Sequence, residues 1–333
     1  MRKLLIILPF LPMISFCQLC DSLLLQSITN PGPYSTSSID ESLGMRDGQG
    51  YDGATVYYPV NTNTGLLSSI VIVPGFMNTE FTIQNWGPFL ASHGIITMTI
   101  GTNLLTDDHI QRRDALIDAI ISLKNENTRL ASPLFGKIDT NSFAVGGFSK
   151  GGGGAQLVPS INSDVKAIIA LYPWLESPTL SDLNHSVPLM IVSGQLDLIA
   201  PPAIHANIHY SLTPNSTNKL KYEIAFASHD AISGPYAGGG EVGVRVVSWL
   251  KTFLLNDSCY CPITILDAVS SSSYEYNVDC TSINVGTSIE DNSYTKKLVS
   301  IKNILGRETK VTKNEILFFI YDDGTVDKRI FIK

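Results

Sequence analysis

The sequence predicts an α/β fold, a three-layer sandwich with a mostly parallel central sheet, no large lid and a small C-terminal β unit. Three observations predict it. Between about residue 50 and residue 255, short apolar, β-branched runs alternate with longer amphipathic ones. The short runs are continuously apolar rather than alternating, as strands covered on both faces are. One of them, ending at Gly147, runs straight into Ser149 and a series of small residues, a strand-to-helix turn.

In chain order, Arg2 and Lys3 precede an apolar run from Leu4 to Phe16, with Ser15 and Cys17 as the small residues before a cut ahead of Gln18. This predicts a cleavable secretory signal over 1–17. The run is shorter than the ~20 residues that span a bilayer, and no later segment is long enough, so no transmembrane segment is expected. Strands are expected at 55–59, 69–73, 95–100, 142–147, 165–171, 188–193 and 221–226. Helices are expected at 107–127, after Ser149, at 202–210 and at 240–254. In the last of these, Val242, Val246, Trp249, Leu250 and Phe253 form a core-facing stripe. Residues 262–295 are rich in Ser, Thr and Asn, and a tail with β-type runs at 298–304, 316–321 and 326–332 follows, with a turn at Asp322-Asp323-Gly324.

Composition narrows the function classes. With 44% hydrophobic residues in 333, the chain can bury a core, which excludes disorder as its main state. Only 16% of residues are charged, against roughly 25% in ordinary soluble domains, a balance often met in exported proteins. A net charge of −7 with no Lys/Arg block argues against a nucleic-acid surface. Past a cut after Cys17, four cysteines remain: Cys20, Cys259, Cys261 and Cys280. Cys259 and Cys261 share one side of an expected extended segment, so each is expected to pair with Cys20 or Cys280 rather than with the other. Zinc is disfavoured, because no His stands near them.

The chemistry centres on Gly147-Phe148-Ser149-Lys150-Gly151, a G-x-S-x-G sequence between a buried strand and a helix. A nucleophile on so sharp a turn tolerates only glycine two positions either side. A phosphate loop at 151–154 is the weaker alternative, since no Lys-Ser/Thr pair follows it. Acyl transfer also needs an acid and a base, in the order Ser, acid, His. Asp197 follows the strand at 188–193, and His229 follows the strand at 221–226, which makes Ser149, Asp197 and His229 the expected triad. Asp182 precedes its strand and Asp230 adjoins the base, so both are weaker candidates for the acid. The other histidines, His93, His109, His185, His205 and His209, are expected to be mostly surface or structural. His205 and His209 are spaced for a metal, but without a Glu after the first. The oxyanion hole needs two backbone N–H groups, expected from Lys150 and from Phe76, which follows the strand at 69–73. No metal and no cofactor is needed for such chemistry.

These residues resemble a known family. Thr55-Val56-Tyr57-Tyr58-Pro59, Ile72-Val73-Pro74-Gly75-Phe76, Trp86-Gly87-Pro88, Ala91-Ser92-His93-Gly94, the four glycines after Lys150, Pro173-Trp174 and Ile199-Ala200-Pro201 are together similar to the bacterial cutinase-like polyesterases, including poly(ethylene terephthalate) hydrolases. The resemblance covers about residues 45–280. It implies an α/β-hydrolase, dienelactone-hydrolase-like, with a shallow uncapped cleft lined by Phe76, Trp174 and Ile199. It implies ester substrates, polymeric or small, and a disulfide of Cys280 with Cys259 or Cys261. This chain departs from the family at Lys150, where Met is usual, at Phe148, where Trp or His is usual, and at Asp230, where Ser or Phe is usual. Gly194 and Ala231 occupy the positions of a disulfide found in some members. The tail, with Lys302-Asn303-Ile304-Leu305-Gly306-Arg307-Glu308 and Tyr321-Asp322-Asp323-Gly324-Thr325-Val326, resembles the C-terminal sorting domain of the type IX secretion system. That implies export across the outer membrane by that machinery. The expected division is a signal at 1–17, a catalytic domain at 18–280 and a sorting domain at 281–333, acting as a secreted monomer. A lipase or short-chain carboxylesterase is the alternative within the class, and a non-catalytic surface-binding protein the remote one.

Overall fold

Apolar runs become strands here because the sheet is covered on both faces. The computed structural model describes residue 28 and residues 31–62, 65–231, 234–280, 298–303, 306–311, 316–321 and 326–330. The expected signal, Cys20 and the turn at 322–324 lie outside the described residues. The chain divides into two compact units, Met1–Val285 and Gly286–Lys333.

In the first unit, strands β1 (Thr36–Asp40), β2 (Ala54–Pro59), β3 (Leu67–Val73), β4 (Ile96–Ile100), β5 (Ile138–Phe148), β6 (Val165–Leu171), β7 (Leu189–Gly194), β8 (Lys219–Ile224) and β9 (Ser271–Tyr276) form one nine-stranded sheet. Their order is β1-β2-β4-β3-β5-β6-β7-β8-β9. Every pairing from β4 to β8 is parallel, and the β1–β2, β2–β4 and β8–β9 pairings are antiparallel. This is the α/β-hydrolase arrangement. Along β3, Ile70 and Ile72 enter one core while Val71 and Val73 enter the other. The period-2 alternation of a strand therefore leaves no polar face to expose.

Helices α1 (Trp86–Ser92), α2 (His109–Glu126), α3 (Lys150–Leu157), α4 (Ala206–Leu212) and α5 (Glu241–Phe253) cover the two faces. Trp86, Phe89 and Leu90 of α1 share one core with Val242, Val246, Trp249 and Leu250 of α5. Ala115, Leu116, Ala119, Ile120 and Leu123 of α2 join Ala155 of α3 in the other. Asp108 caps α2: its Oδ1 accepts from Ile110 N–H at 2.8 Å, and Gln111 Oε1 accepts from Asp108 N–H at 3.3 Å, a capping box.

The differences from expectation have local causes. Helix α1 hides behind Gly87 and Pro88, yet Pro is tolerated in a first turn, and a Cβ on Gly87 would lie 2.1 Å from Tyr57. Strand β8 starts at Lys219 and stops before Phe226, whose φ of 58° turns the chain. Cys259 and Cys261 do not sit on an extended segment: a 3₁₀ turn at Ser258–Tyr260 leads into α6 (Cys261–Thr264). Cys261 bonds Cys280, and Cys259 is also disulfide-bonded. Closing that short loop restricts the unfolded chain by about 3 kcal/mol.

The second unit contains β10 (Leu298–Asn303), β11 (Ile316–Tyr321) and β12 (Val326–Ile330), an antiparallel sheet in the order β10-β11-β12. Leu317 and Phe319 are buried on alternate positions of β11, as one covered face requires.

Candidate active site

Strand β5 ends at Phe148, helix α3 begins at Lys150, and Ser149 between them has φ 53° and ψ −120°. A positive φ in a residue with a side chain costs about 1–3 kcal/mol and persists only where its surroundings enforce it. The enforcement is visible. Ser149 N–H donates to Leu171 O at 2.8 Å, while its carbonyl accepts from Gly153 N–H at 3.0 Å and Trp174 N–H at 2.9 Å. A Cβ on Gly147 would lie 2.3 Å from the Gly151 carbonyl carbon, and one on Gly153 would lie 2.2 Å from Trp174 O. Glycine in a helix interior costs roughly 1 kcal/mol relative to alanine, so the glycine run of α3 trades helix propensity for close backbone packing under Ser149.

The three expected triad residues are brought together. His229 Nε2 is 3.0 Å from Ser149 Oγ, and His229 Nδ1 is 2.7 Å from Asp197 Oδ2. Asp197 Oδ1 accepts from the backbone N–H of Ile199 at 2.9 Å and Ala200 at 2.7 Å. A carboxylate so engaged can only accept from His229, so the ring proton belongs on Nδ1 and the Nε2 lone pair faces the serine hydroxyl. Phe148 and Tyr172 wall the imidazole, with ring centroids at 5.0 and 5.8 Å. Burial, then the Asp197 charge, pushes the Tyr172 phenol well above its ordinary range. Asp182 is engaged elsewhere, with Thr179, and Asp230 is exposed.

The loop after β3 passes against the nucleophile, since a Cβ on Gly75 would lie 2.8 Å from Ser149 Cβ. Lys150 opens α3, so its N–H belongs to the first turn, where no intrahelical acceptor is available, and Phe76 follows Gly75 on the loop that touches Ser149. Arg112, which the sequence does not single out, fixes this loop from below. Its guanidinium is fully buried and donates to Pro74 O at 2.8 Å, Asp107 O at 3.0 Å and Leu105 O at 3.2 Å, and Met77 N–H donates to Leu105 O at 2.8 Å. Burial lowers its pKa to about 10, against the pull of Asp107 and Asp108, so it stays charged at neutral pH. The only signal for it was an arginine on the apolar face of an amphipathic helix. Phe76 and Ile199 are exposed beside the cleft, and Trp174 is half-buried.

His205 and His209 are not surface residues. Both are buried, with the His205 ring 5.6 Å from that of Trp174, and Gln156 Nε2 approaches His209 Nδ1 at 3.3 Å. No group of three or more potential metal ligands occurs among the described residues. Burial first, then His205, lowers the His209 pKa to about 3. The unfolded chain therefore holds a proton that the folded state refuses between pH 6.5 and about 3, and stability falls as pH drops through that window. Between pH 6.5 and pH 4.5 the loss from this group is about 2–3 kcal/mol. Urea unfolding of the wild type and His209→Phe at both pH values checks this: the variant should lose less stability on acidification, and equal losses would remove His209 as the cause.

No helix of the described residues is long and apolar enough to cross a membrane. The family model described as "PETase: PET hydrolase-like" matches residues 25–280. Cutinase 1 of Thermobifida cellulosilytica is 36% identical over 235 residues, covering 69% of this chain and 85% of its own. A cutinase of Thermobifida fusca is 36% identical over 69% of this chain and 74% of its own. The bis(hydroxyethyl) terephthalate hydrolase of Streptomyces coelicolor is 33% identical over 253 residues, 75% of this chain and 77% of its own.

Proposed function

Because the chain belongs to the PET hydrolase-like family, we propose that it hydrolyses carboxylic ester bonds in polyesters through a Ser149–His229–Asp197 triad and an acyl-enzyme. The observation that carries the reading is the continuous hydrogen-bond chain from Asp197 Oδ2 through His229 to Ser149 Oγ, mounted on a strained turn. His229 Nε2 takes the serine proton as Oγ bonds to the ester carbonyl carbon. The carbonyl oxygen becomes an oxyanion facing the N–H groups of Phe76 and Lys150, at the start of α3. The C–O bond to the alcohol breaks, and His229 gives its proton to the departing oxygen. Water then repeats the sequence on the acyl-serine and releases the acid.

Exposed apolar side chains next to this site favour a polymer over a small polar ester. Phe76, Met77, Leu198, Ile199 and Phe226 all stand on loops at the carboxyl ends of the parallel strands, and Leu198 is 90% exposed. Exposed apolar side chains so placed suit adsorption to a hydrophobic surface. Export through a signal at 1–17 and a type IX sorting domain at 281–333 belongs to the same proposal, supported by the tail folding as its own β unit. The full chain incubated with amorphous polyester film should release soluble acid and alcohol, and a fluorophosphonate should stop the release by modifying Ser149, located by peptide mass. Hydrolysis of short chromogenic esters with an untouched film would leave the carboxylesterase alternative.

A further inference from the structure

The residue after the candidate nucleophile carries a charge into the cleft. Lys150 Nζ lies 4.8 Å from the centroid of the Phe76 ring and 4.6 Å from that of the Trp174 ring, between the two aromatic side chains expected to receive substrate. Both rings belong to segments tied to Ser149. Phe76 follows Gly75 on the loop that touches the serine, and Trp174 N–H donates to Ser149 O at 2.9 Å. Aromatic faces attract the ammonium electrostatically, but they leave its N–H donors without oxygen acceptors. Lys150 enters no ion pair among the described residues, unlike Lys124 and Lys221.

Two consequences follow for what can bind. A neutral acyl group entering between Phe76 and Trp174 must displace the ammonium and returns at most an uncharged carbonyl acceptor, with no counter-charge. An acyl group ending in a free carboxylate brings the missing acceptor and counter-charge, while its apolar body lies along the rings. The chain's net charge of −7 opposes any broad attraction of anions, so the preference is local to Lys150. From this geometry we infer that Lys150 selects esters whose acyl part ends in a free carboxylate, the half-esters of dicarboxylic acids. This rests on Ser149 being the nucleophile and deepens that reading. Half-esters are the soluble fragments of polyester cleavage, so the preferred substrate is one that a depolymerising ester hydrolysis must first supply.

The test compares two substrates matched in size, p-nitrophenyl hydrogen terephthalate and its neutral methyl ester, on full-length wild type, Lys150→Met and Lys150→Arg. Any non-proline residue at 150 keeps the backbone N–H, so the oxyanion donor survives both changes. The ratio of kcat/KM for the anionic over the neutral ester should fall about tenfold in Lys150→Met, with KM rising for the anion and falling for the neutral ester. Lys150→Arg should keep most of the wild-type ratio. Raising salt to about 0.5 M should lower the ratio several-fold in wild type and leave Lys150→Met flat. Comparing ratios across variants cancels the different intrinsic reactivities of the two esters. A ratio unchanged in Lys150→Met, a salt-independent wild type, or an equal loss on both substrates would overturn the inference. Ser149→Ala run alongside separates the two levels, because activity persisting there sinks the nucleophile assignment instead.

Discussion

Ser149→Ala is expected to remove ester hydrolysis by a factor on the order of 10⁴ to 10⁶ while leaving the fold intact. The hydroxyl oxygen is the atom that would form the covalent bond, and among the described residues its side-chain partner is His229 Nε2 at 3.0 Å. Everything that forces the turn is main chain: the bonds to Leu171, Gly153 and Trp174, and the close approach of Gly147 to Gly151. Alanine fits the same φ of 53° no worse than serine, so the loss of one hydrogen bond should change stability by about 1 kcal/mol or less. Initial rates on a chromogenic ester, read beside thermal unfolding of both proteins, separate chemistry from folding. A variant that unfolds like wild type yet keeps a tenth of its rate would place the nucleophile elsewhere.

The inner sheet was legible because its strands are buried on both faces, and they carry that burial as the apolar runs Ile70 to Val73 in β3, Phe143 to Val145 in β5, Ala167 to Leu171 in β6 and Leu189 to Val192 in β7. Edge strands lose this signal. Strand β9 reads Ser-Ser-Ser-Tyr-Glu-Tyr and β1 Thr-Ser-Ser-Ile-Asp, since neither has more than one fully buried position and each is held by pairing with one neighbour. The nucleophile turn was legible for a steric reason, as glycines that backbone contact demands cannot be disguised by other residues. Arg112 was not, because its role is to hold carbonyls of two loops far apart in sequence, Pro74 and Leu105, and no spacing rule marks such a contact. For His205 and His209 the sequence left surface and structural roles open, and the structure gives the structural one. Their partners Trp174 and Gln156 come from other elements, and only the packed structure shows that His205, just before α4, and His209, within it, turn inward.

Asp197→Asn should cost about 10⁴ in kcat with little change in KM or stability, and the reason is the direction of its hydrogen bonds. The carboxylate accepts on both oxygens, from Ile199 and Ala200 N–H on one and from His229 on the other. Asparagine offers a single acceptor. The two backbone donors are fixed by the loop and will claim it, which turns the amide N–H₂ toward His229 Nδ1. That nitrogen must then accept, so the ring proton moves to Nε2 and points at Ser149 Oγ, where a base is needed. The fold keeps every backbone bond, so melting temperature should move by no more than a few degrees. Asp197→Ala differs in kind, since it leaves the buried Ala200 N–H without an acceptor, at about 1–3 kcal/mol, and frees the part-buried Ile199 N–H as well, so it loses stability together with rate. Measuring both variants for kcat, KM and unfolding midpoint therefore isolates the proton's position from the loop's integrity. An asparagine variant within tenfold of wild type would show that Asp197 holds the loop and does not set the tautomer of His229.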